Sequence, residues 1–174
     1  MTITPATHAD APSIAAIGSA TFTTSFAHSM PEKDLQAYLL TSYAPSVIHA
    51  ELSDTRENSF YVACLADGAV AGFLQVKHRT SDPCLPPELK LVEIHRVYVA
   101  TEHHGRGIGG KLLEHALEVV RRDGESQGAW LGVWEENLRA QKFYAGFGFA
   151  EKVGRHAFTM GECVQWDEIV LFRF

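Results

Sequence analysis

Leu91-Val-Glu-Ile-His-Arg-Val-Tyr-Val99, then Ala100–His103, then His104-Gly-Arg-Gly-Ile-Gly-Gly-Lys-Leu-Leu113: this stretch decides the fold. Its first nine residues are rich in β-branched side chains and read as a strand. From Ile108 to Arg122, the side chains of Leu112, Leu113, Ala116, Leu117 and Val120 recur at helical spacing, which predicts an amphipathic helix. Glycines crowd the junction between the two. There the backbone can come close to a ligand, and the free N–H groups and dipole of the helix start favour an anion. Phosphate or pyrophosphate binding is the physical reading. A glycine-rich connection without a ligand is the plain alternative.

Upstream, Ser59–Leu65 and Ala69–Lys77 are β-rich runs joined by Asp67-Gly68, a strong hairpin signal. Met1–Thr4 reads as a first strand closed by Pro5. Asp10 is placed to cap a helix carrying Ile14, Ile17 and Phe22, and Pro31-Glu32 to open another through Leu35, Tyr38, Leu39 and Leu40. The segment His78–Glu88, with Pro83, Pro86 and Pro87, is a loop. Downstream, Ala129–Trp134 is a strand and Leu138–Tyr144 a helix ended by Gly146 and Gly148. Two more strands close the chain near Ala150–Thr159 and Val164–Phe172. The order predicts an α/β (α+β) fold. It is a mixed, mostly antiparallel sheet of about six to seven strands with about four helices and at least one right-handed strand–helix–strand crossover.

The 174 residues suit one domain spanning 1–174, large enough to bury a core without staples. Fifteen basic against 21 acidic residues give a net charge of −6, and no basic patch stands out, so a grip on nucleic-acid phosphates is not expected. Cys64, Cys84 and Cys163 are odd in number and far apart, which argues against a disulfide framework and for a reducing compartment. Met1–Pro12 lacks the charged start and apolar run of a signal peptide, and no apolar run is long enough to span a membrane. A cytoplasmic protein with no membrane partner is the expectation.

Three loop chemistries fit the glycines in part. Gly105, Gly107 and Gly110 satisfy G-x-G-x-x-G, the dinucleotide fingerprint, but too few strand–helix pairs follow. Gly105 through Lys111 spell G-x-x-x-x-G-K, the triphosphate loop. Leu112 then stands where Ser or Thr would hold magnesium. The third fit has its second element. His104, Gly107 and Gly109 match Q/R-x-x-G-x-G/A, with His104 as the departure. Asn137-Leu-Arg-Ala140-Gln-Lys-Phe143-Tyr144-Ala-Gly-Phe-Gly148-Phe149 follows 28 residues beyond Gly109 and matches N-x-x-A-x-x-F-Y-x-x-x-G-F.

Together these motifs resemble the GCN5-related N-acetyltransferases, and the likeness runs essentially the length of the chain. Leu91–Val99, Trp130–Asn137, His156-Ala-Phe158-x-x-Gly161 and Asp167-x-Ile169 look most like the spermidine/spermine-type (polyamine) branch. The resemblance implies a sheet with a splayed central strand pair and acetyl-CoA as co-substrate. It also implies acetyl transfer to a primary amine of a small molecule, polyamine-like by preference, in direct attack without an acyl-enzyme. Cofactor contacts are implied at His104, Gly105, Arg106, Gly107, Ile108, Gly109 and Gly110, mostly through backbone N–H. Backbone groups of Val97, Tyr98 and Val99, with Asn137, are implied to hold the pantetheine arm. A non-catalytic acyl-CoA or dinucleotide sensor is the alternative from another class, and a nucleotide triphosphatase comes third. The oligomeric state stays open, a homodimer included.

Single residues carry two readings each. Strict alternation sets Val92, Ile94 and Arg96 on one face and Glu93, His95 and Val97 on the other. A carboxylate inside a central strand needs water, a partner or a cleft, so Glu93 is either an ion-pair member or a general base. The family likeness favours the base. Tyr144 is either a core aromatic or, as the likeness implies, the acid that protonates the departing thiolate. Asn137 is a natural helix cap as well as a cofactor contact. Tyr98, Trp134 and Glu135 face either the acceptor amine or the core. His95, His103 and His104 lack ligand spacing with a supporting carboxylate, so no metal is expected.

Overall fold

Alternating apolar residues in the hairpin make the first firm unit. In the computed structural model, which describes residues 1–174, β2 (Asn58–Cys64) pairs antiparallel with β3 (Val70–Lys77), and Gly68 turns between them at φ +87°. β1 (Thr2–Pro5) adds to the free edge of β2, and β4 (Leu91–Val99) to that of β3. After β4, the helix α4 (Ile108–Asp123) crosses the sheet and delivers β5 (Gly128–Trp134) parallel to β4. β6 (Glu151–Met160) and β7 (Cys163–Arg173) form a closing hairpin, with β7 against β5. The sheet order is β1-β2-β3-β4-β5-β7-β6, and only the β4–β5 pair is parallel.

That pair is short. Its register runs from Leu91↔Gly128 to Glu93↔Trp130 and then stops, although both strands continue. The two strands diverge beyond Glu93, as the splayed pair required, and everything that follows depends on this cleft.

Each face of the sheet is covered for a visible reason. Leu112, Leu113 and Ala116 of α4 are fully buried against Ile94, Ala129 and Leu131. On the other face α1 (Ala11–Phe26) buries Ile14 and Ala15 against Val62 and Phe73. Removing about 25 cal/mol per Å² of apolar surface from water is what holds these layers together. No helix is long and apolar enough to cross a membrane.

Three local expectations change. α2 (Glu32–Tyr43) begins after Pro31 as expected, but the chain turns at Ala44 and continues as α3 (Pro45–Ser53), which buries Ile48. No sequence pattern predicts an element over that stretch. Asp10 stands just before α1, yet its carboxylate accepts from the Thr7 N–H and hydroxyl at 2.7 and 2.9 Å instead of capping α1. Pro12, having no N–H, lightens the need for a cap there. The third change is in β4. Gln75 pairs with Arg96 but Val76 with Ile94, so His95 is the extra residue of a β-bulge. The bulge inverts the alternation. Arg96 leaves the Val92–Ile94 face, and Val97 and Val99 join it, packing with Val92 and Ile94 against the α4 core.

Candidate active site

The glycine loop opens on one side of the cleft. Gly107 is the residue before α4 and, like Gly105, has positive φ, +72° and +76°. None of the N–H groups of residues 105–110 meets a backbone acceptor, while the Gly107 carbonyl receives Lys111 N–H. Gly110 packs closely: a Cβ there would come within 2.8 Å of the Phe147 ring, which would have to shift. The loop therefore presents a row of unanswered donors at a helix start.

Those donors border a cavity of about 420 Å³. The structure brings Val97, Tyr98, Val99, His104, Gly105, Gly107, Ile108, Gly109, Gly110, Asn137 and Tyr144 to it. Arg106 does not line it; its side chain is exposed. Thr21 and Ser25 of α1, His103, Arg139 and Phe143 also line it, and sequence reasoning missed them. His103 Nδ1 is buried there without a partner, an orphan polar atom beside the loop. One backbone group differs from expectation. His104 Nε2 lies 2.9 Å from the Val99 carbonyl, so that oxygen is already occupied from within the chain. The site thus has a place for an anion at one end and a strand-shaped gap at the other, which fits a phosphate-bearing acyl carrier.

α5 (Leu138–Gly146) closes the gap. Asn137 caps it, its Oδ1 accepting from Ala140 N–H at 3.0 Å, and Gln141 donates to the Trp134 and Glu135 carbonyls, pinning the helix to the end of β5. Tyr144 lines this cavity and a second one behind it. Burial, then the nearby Tyr98, pushes its phenol well up, so it stays a neutral O–H at physiological pH.

The second cavity, about 380 Å³, lies between α1, α2 and the diverging strands. Glu93, Tyr98 and Trp134 line it, as do residues the sequence reading did not propose: His95, Arg96, Trp130, Asp82, His156 and Asp167. Glu135 does not; it pairs with Arg155. Glu93 Oε1 sits 2.6 Å from His95 Nδ1. Burial pushes Glu93 up, but the His95 hydrogen bond and charge, with Thr80 and Lys77, pull it below its usual range. Burial pushes His95 down, and Arg96 and Lys77 reinforce that against the opposing pull of Glu93. At neutral pH the pair is a carboxylate and a neutral imidazole. An ionised carboxylate only accepts, so the ring proton sits on Nδ1 and Nε2 carries the lone pair. At neutral pH the contact is therefore a hydrogen bond from a neutral ring to a carboxylate, and an ion pair only once His95 is protonated.

Arg96 serves structure. It is 6% exposed, donates to Glu51 at 2.7 Å and to the Ser42 carbonyl at 3.2 Å, and stacks over Tyr43 at 4.8 Å. The Tyr43 and Tyr98 hydroxyls meet at 3.0 Å, and burial pushes Tyr98 up to about 12. Opposite Trp134 on β7, Asp167 lies against Gly132, where a Cβ would stand 3.1 Å from the carboxylate. Burial pushes Asp167 up to about 6, with His156 pulling the other way.

Comparison with known proteins agrees with this geometry. The sequence profile of the Acetyltransferase (GNAT) family matches residues 21–149. An uncharacterized N-acetyltransferase of Lactobacillus delbrueckii subsp. lactis is 32% identical over 160 residues, covering 91% of this chain and 88% of that one. Streptothricin acetyltransferase of Streptomyces lavendulae is 36% identical over 101 residues, 58% of this chain and 49% of its own. Among solved structures, the PaiA N-acetyltransferase of Thermoplasma acidophilum in complex with coenzyme A superposes with a TM-score of 0.73 at 19% identity, covering 100% of both chains. That likeness is one of fold.

Proposed function

We propose, for a chain that belongs to the acetyltransferase (GNAT) family, transfer of acetyl from acetyl-CoA to a primary amine of a small molecule, in the cleft between β4 and β5. One observation carries the reading: the row of unpartnered loop N–H groups, the Glu93–His95 pair and the Tyr144 hydroxyl all open onto the same diverging strands. The carboxylates of the second cavity favour a cationic amine as acceptor, the polyamine-like one expected from the sequence being one such class.

Acetyl-CoA supplies the acyl group, and its thioester becomes an amide as the thiol departs. The chain's own residues do the rest. The N–H groups of residues 105–110 and the positive end of α4 hold the pyrophosphate. Tyr98 and Val97 edge the gap that takes the arm, where backbone can add like a missing strand. An amine of pKa near 10.4 is neutral in about one molecule per 2,500 at pH 7, so its proton must go first. His95 Nε2 takes it, and Glu93 holds the imidazole tautomer and stabilises the imidazolium that forms. Tyr144 then gives its phenolic proton to the departing sulfur.

The test pairs a melting curve with a rate. Acetyl-CoA at a hundred times its dissociation constant should stabilise the protein by about 2.7 kcal/mol, and NAD or ATP–magnesium should not. Free thiol should then appear with a suitable amine. Stabilisation by NAD alone would sink the proposal, and acetyl-CoA binding with no amine turned over would make the chain a sensor.

A further inference from the structure

Three carboxylates line the acceptor cavity, and two already have partners. Glu93 accepts from His95 at 2.6 Å, and Asp82 meets His156 Nδ1 at 2.7 Å. The Asp167 carboxylate makes no hydrogen bond or ion pair within the chain, although it is partly buried in the cavity wall. A carboxylate held out of water without a partner is costly and stays in place only where something else compensates. Gly132 makes the room for it, since any side chain there would press on the carboxylate.

His156, which is paired with Asp82, faces Asp167 across the β6–β7 register, and the rest of its surroundings are ring-rich. Trp134 faces it across the β5–β7 register, Phe26 meets Trp134 at a tilt with centroids 5.2 Å apart, and Tyr38 meets Phe158 edge-on at 5.8 Å. These rings are only partly buried by the protein itself. The single guanidinium of the cavity, Arg96, is occupied by Glu51 and the Ser42 carbonyl, so no free cation waits for a substrate carboxylate.

The geometry points to Asp167 as the docking carboxylate for the acceptor's ammonium, and to primary monoamines on an apolar, ring-bearing body as the acceptor class. The inference rests on the acetyl-transfer reading above and narrows it. One carboxylate without a partner matches one ammonium. The rings take the remainder of the molecule by burial and by attraction of the cation to their faces. A polyamine would leave its further ammonium groups against rings, and an amino acid would bring a carboxylate with no partner.

The experiment compares 2-phenylethylamine and tryptamine with spermidine, putrescine and phenylalanine. Thiol release gives the rate, and calorimetry on protein loaded with CoA gives amine affinity. Wild type, Asp167→Asn and Gly132→Ala are assayed, each confirmed folded by its melting curve. The ring-bearing monoamines should exceed the others at least about tenfold in kcat/KM. Asp167→Asn should raise their KM about ten- to hundredfold, the usual weight of a charge-assisted hydrogen bond, and leave the KM for acetyl-CoA within about twofold. Gly132→Ala should move in the same direction. Preference for spermidine or putrescine, or an unchanged amine KM in folded Asp167→Asn, overturns the inference and leaves acetyl transfer standing. Ring-amine binding lost in Asp167→Asn, but without turnover in wild type, supports the docking site and overturns acetyl transfer.

Discussion

If Asp167 is kept in its enclosed position for a ligand, the free protein should bear a cost for it, and removing the charge should stabilise the fold. The carboxyl rises from 3.8 to about 6 on folding because burial disfavours its ionised form, with only His156 pulling the other way. At 1.36 kcal/mol per tenfold, that difference sets a ceiling of about 3 kcal/mol, and about 2 kcal/mol is a fair figure for a cavity open to water. Asp167→Asn keeps the shape and drops the charge. The sign follows from proton linkage. Below about pH 4 both the folded and unfolded chains hold the Asp167 proton, so the variant gains nothing. As pH rises toward 6 the unfolded chain has lost the proton and the folded chain still holds it, so wild-type stability falls. Above pH 6 to 7 the whole penalty is expressed. For a chain of this length the variant should melt about 4–8 °C higher than wild type at pH 8, with the gap closing near pH 4. Melting curves across pH 4–8 on both proteins give the answer, and a saturating ring-bearing amine should narrow the gap at pH 8 by stabilising wild type alone. A gap of equal size at every pH, or none at pH 8, would refute the argument, because either result means that the carboxylate is not held ionised at a cost.

Other consequences concern the reacting groups and the loop. Tyr144→Phe keeps the ring and its packing, so acetyl-CoA affinity by calorimetry should hold while turnover falls about 10²- to 10⁴-fold at every pH. Glu93→Gln and His95→Gln should both lose rate at neutral pH and regain part of it toward pH 9–10, where free amine forms unaided; wild-type rates for His95→Gln across pH 6–9 would return the proton to Glu93 itself. Gly107→Val places a branched residue at φ +72°, a strain of about 1–3 kcal/mol with no neighbour within 4 Å to relieve or aggravate it. The helix start should shift and acetyl-CoA affinity collapse; retained affinity in the folded variant would locate the phosphates elsewhere.

The glycine-loop side of the candidate site was legible because its information is local. Glycines next to a strand and a helix start, and an Asn placed three residues ahead of the N–H it caps, announce their geometry within one or two turns of chain. So were the hairpin, the crossover and the amphipathic α4, whose periods are written in neighbouring residues. α3 was not, because Pro45 hides a new helix start inside what reads as a loop. In sequence His104 is only the departure from the loop motif, and its bond to Val99, five residues back, needs the turn between them to be known.

The second cavity was legible only in part: Glu93, Tyr98 and Trp134 do line it, but the course of β4 from Arg96 onward was not readable, and the reason is the β-bulge at His95. Period-two alternation sends His95 to the face of Glu93 but sends Arg96 the other way, and one extra residue reverses everything after it. With the bulge, Arg96 turns toward α2 and α3 and takes Glu51, which lies 45 residues earlier. Val97 and Val99 then reach the α4 core, and Tyr98 meets Tyr43 across 55 residues. No local pattern encodes those distances along the chain. Glu93 and His95, which alternation alone sets on one face, are in contact at the point where β4 parts from β5. Asp167, by contrast, is another case of distance along the chain. In sequence it is one acid in an amphipathic strand, and only the absence of a side chain at Gly132, 35 residues away, gives its carboxylate a place to lie.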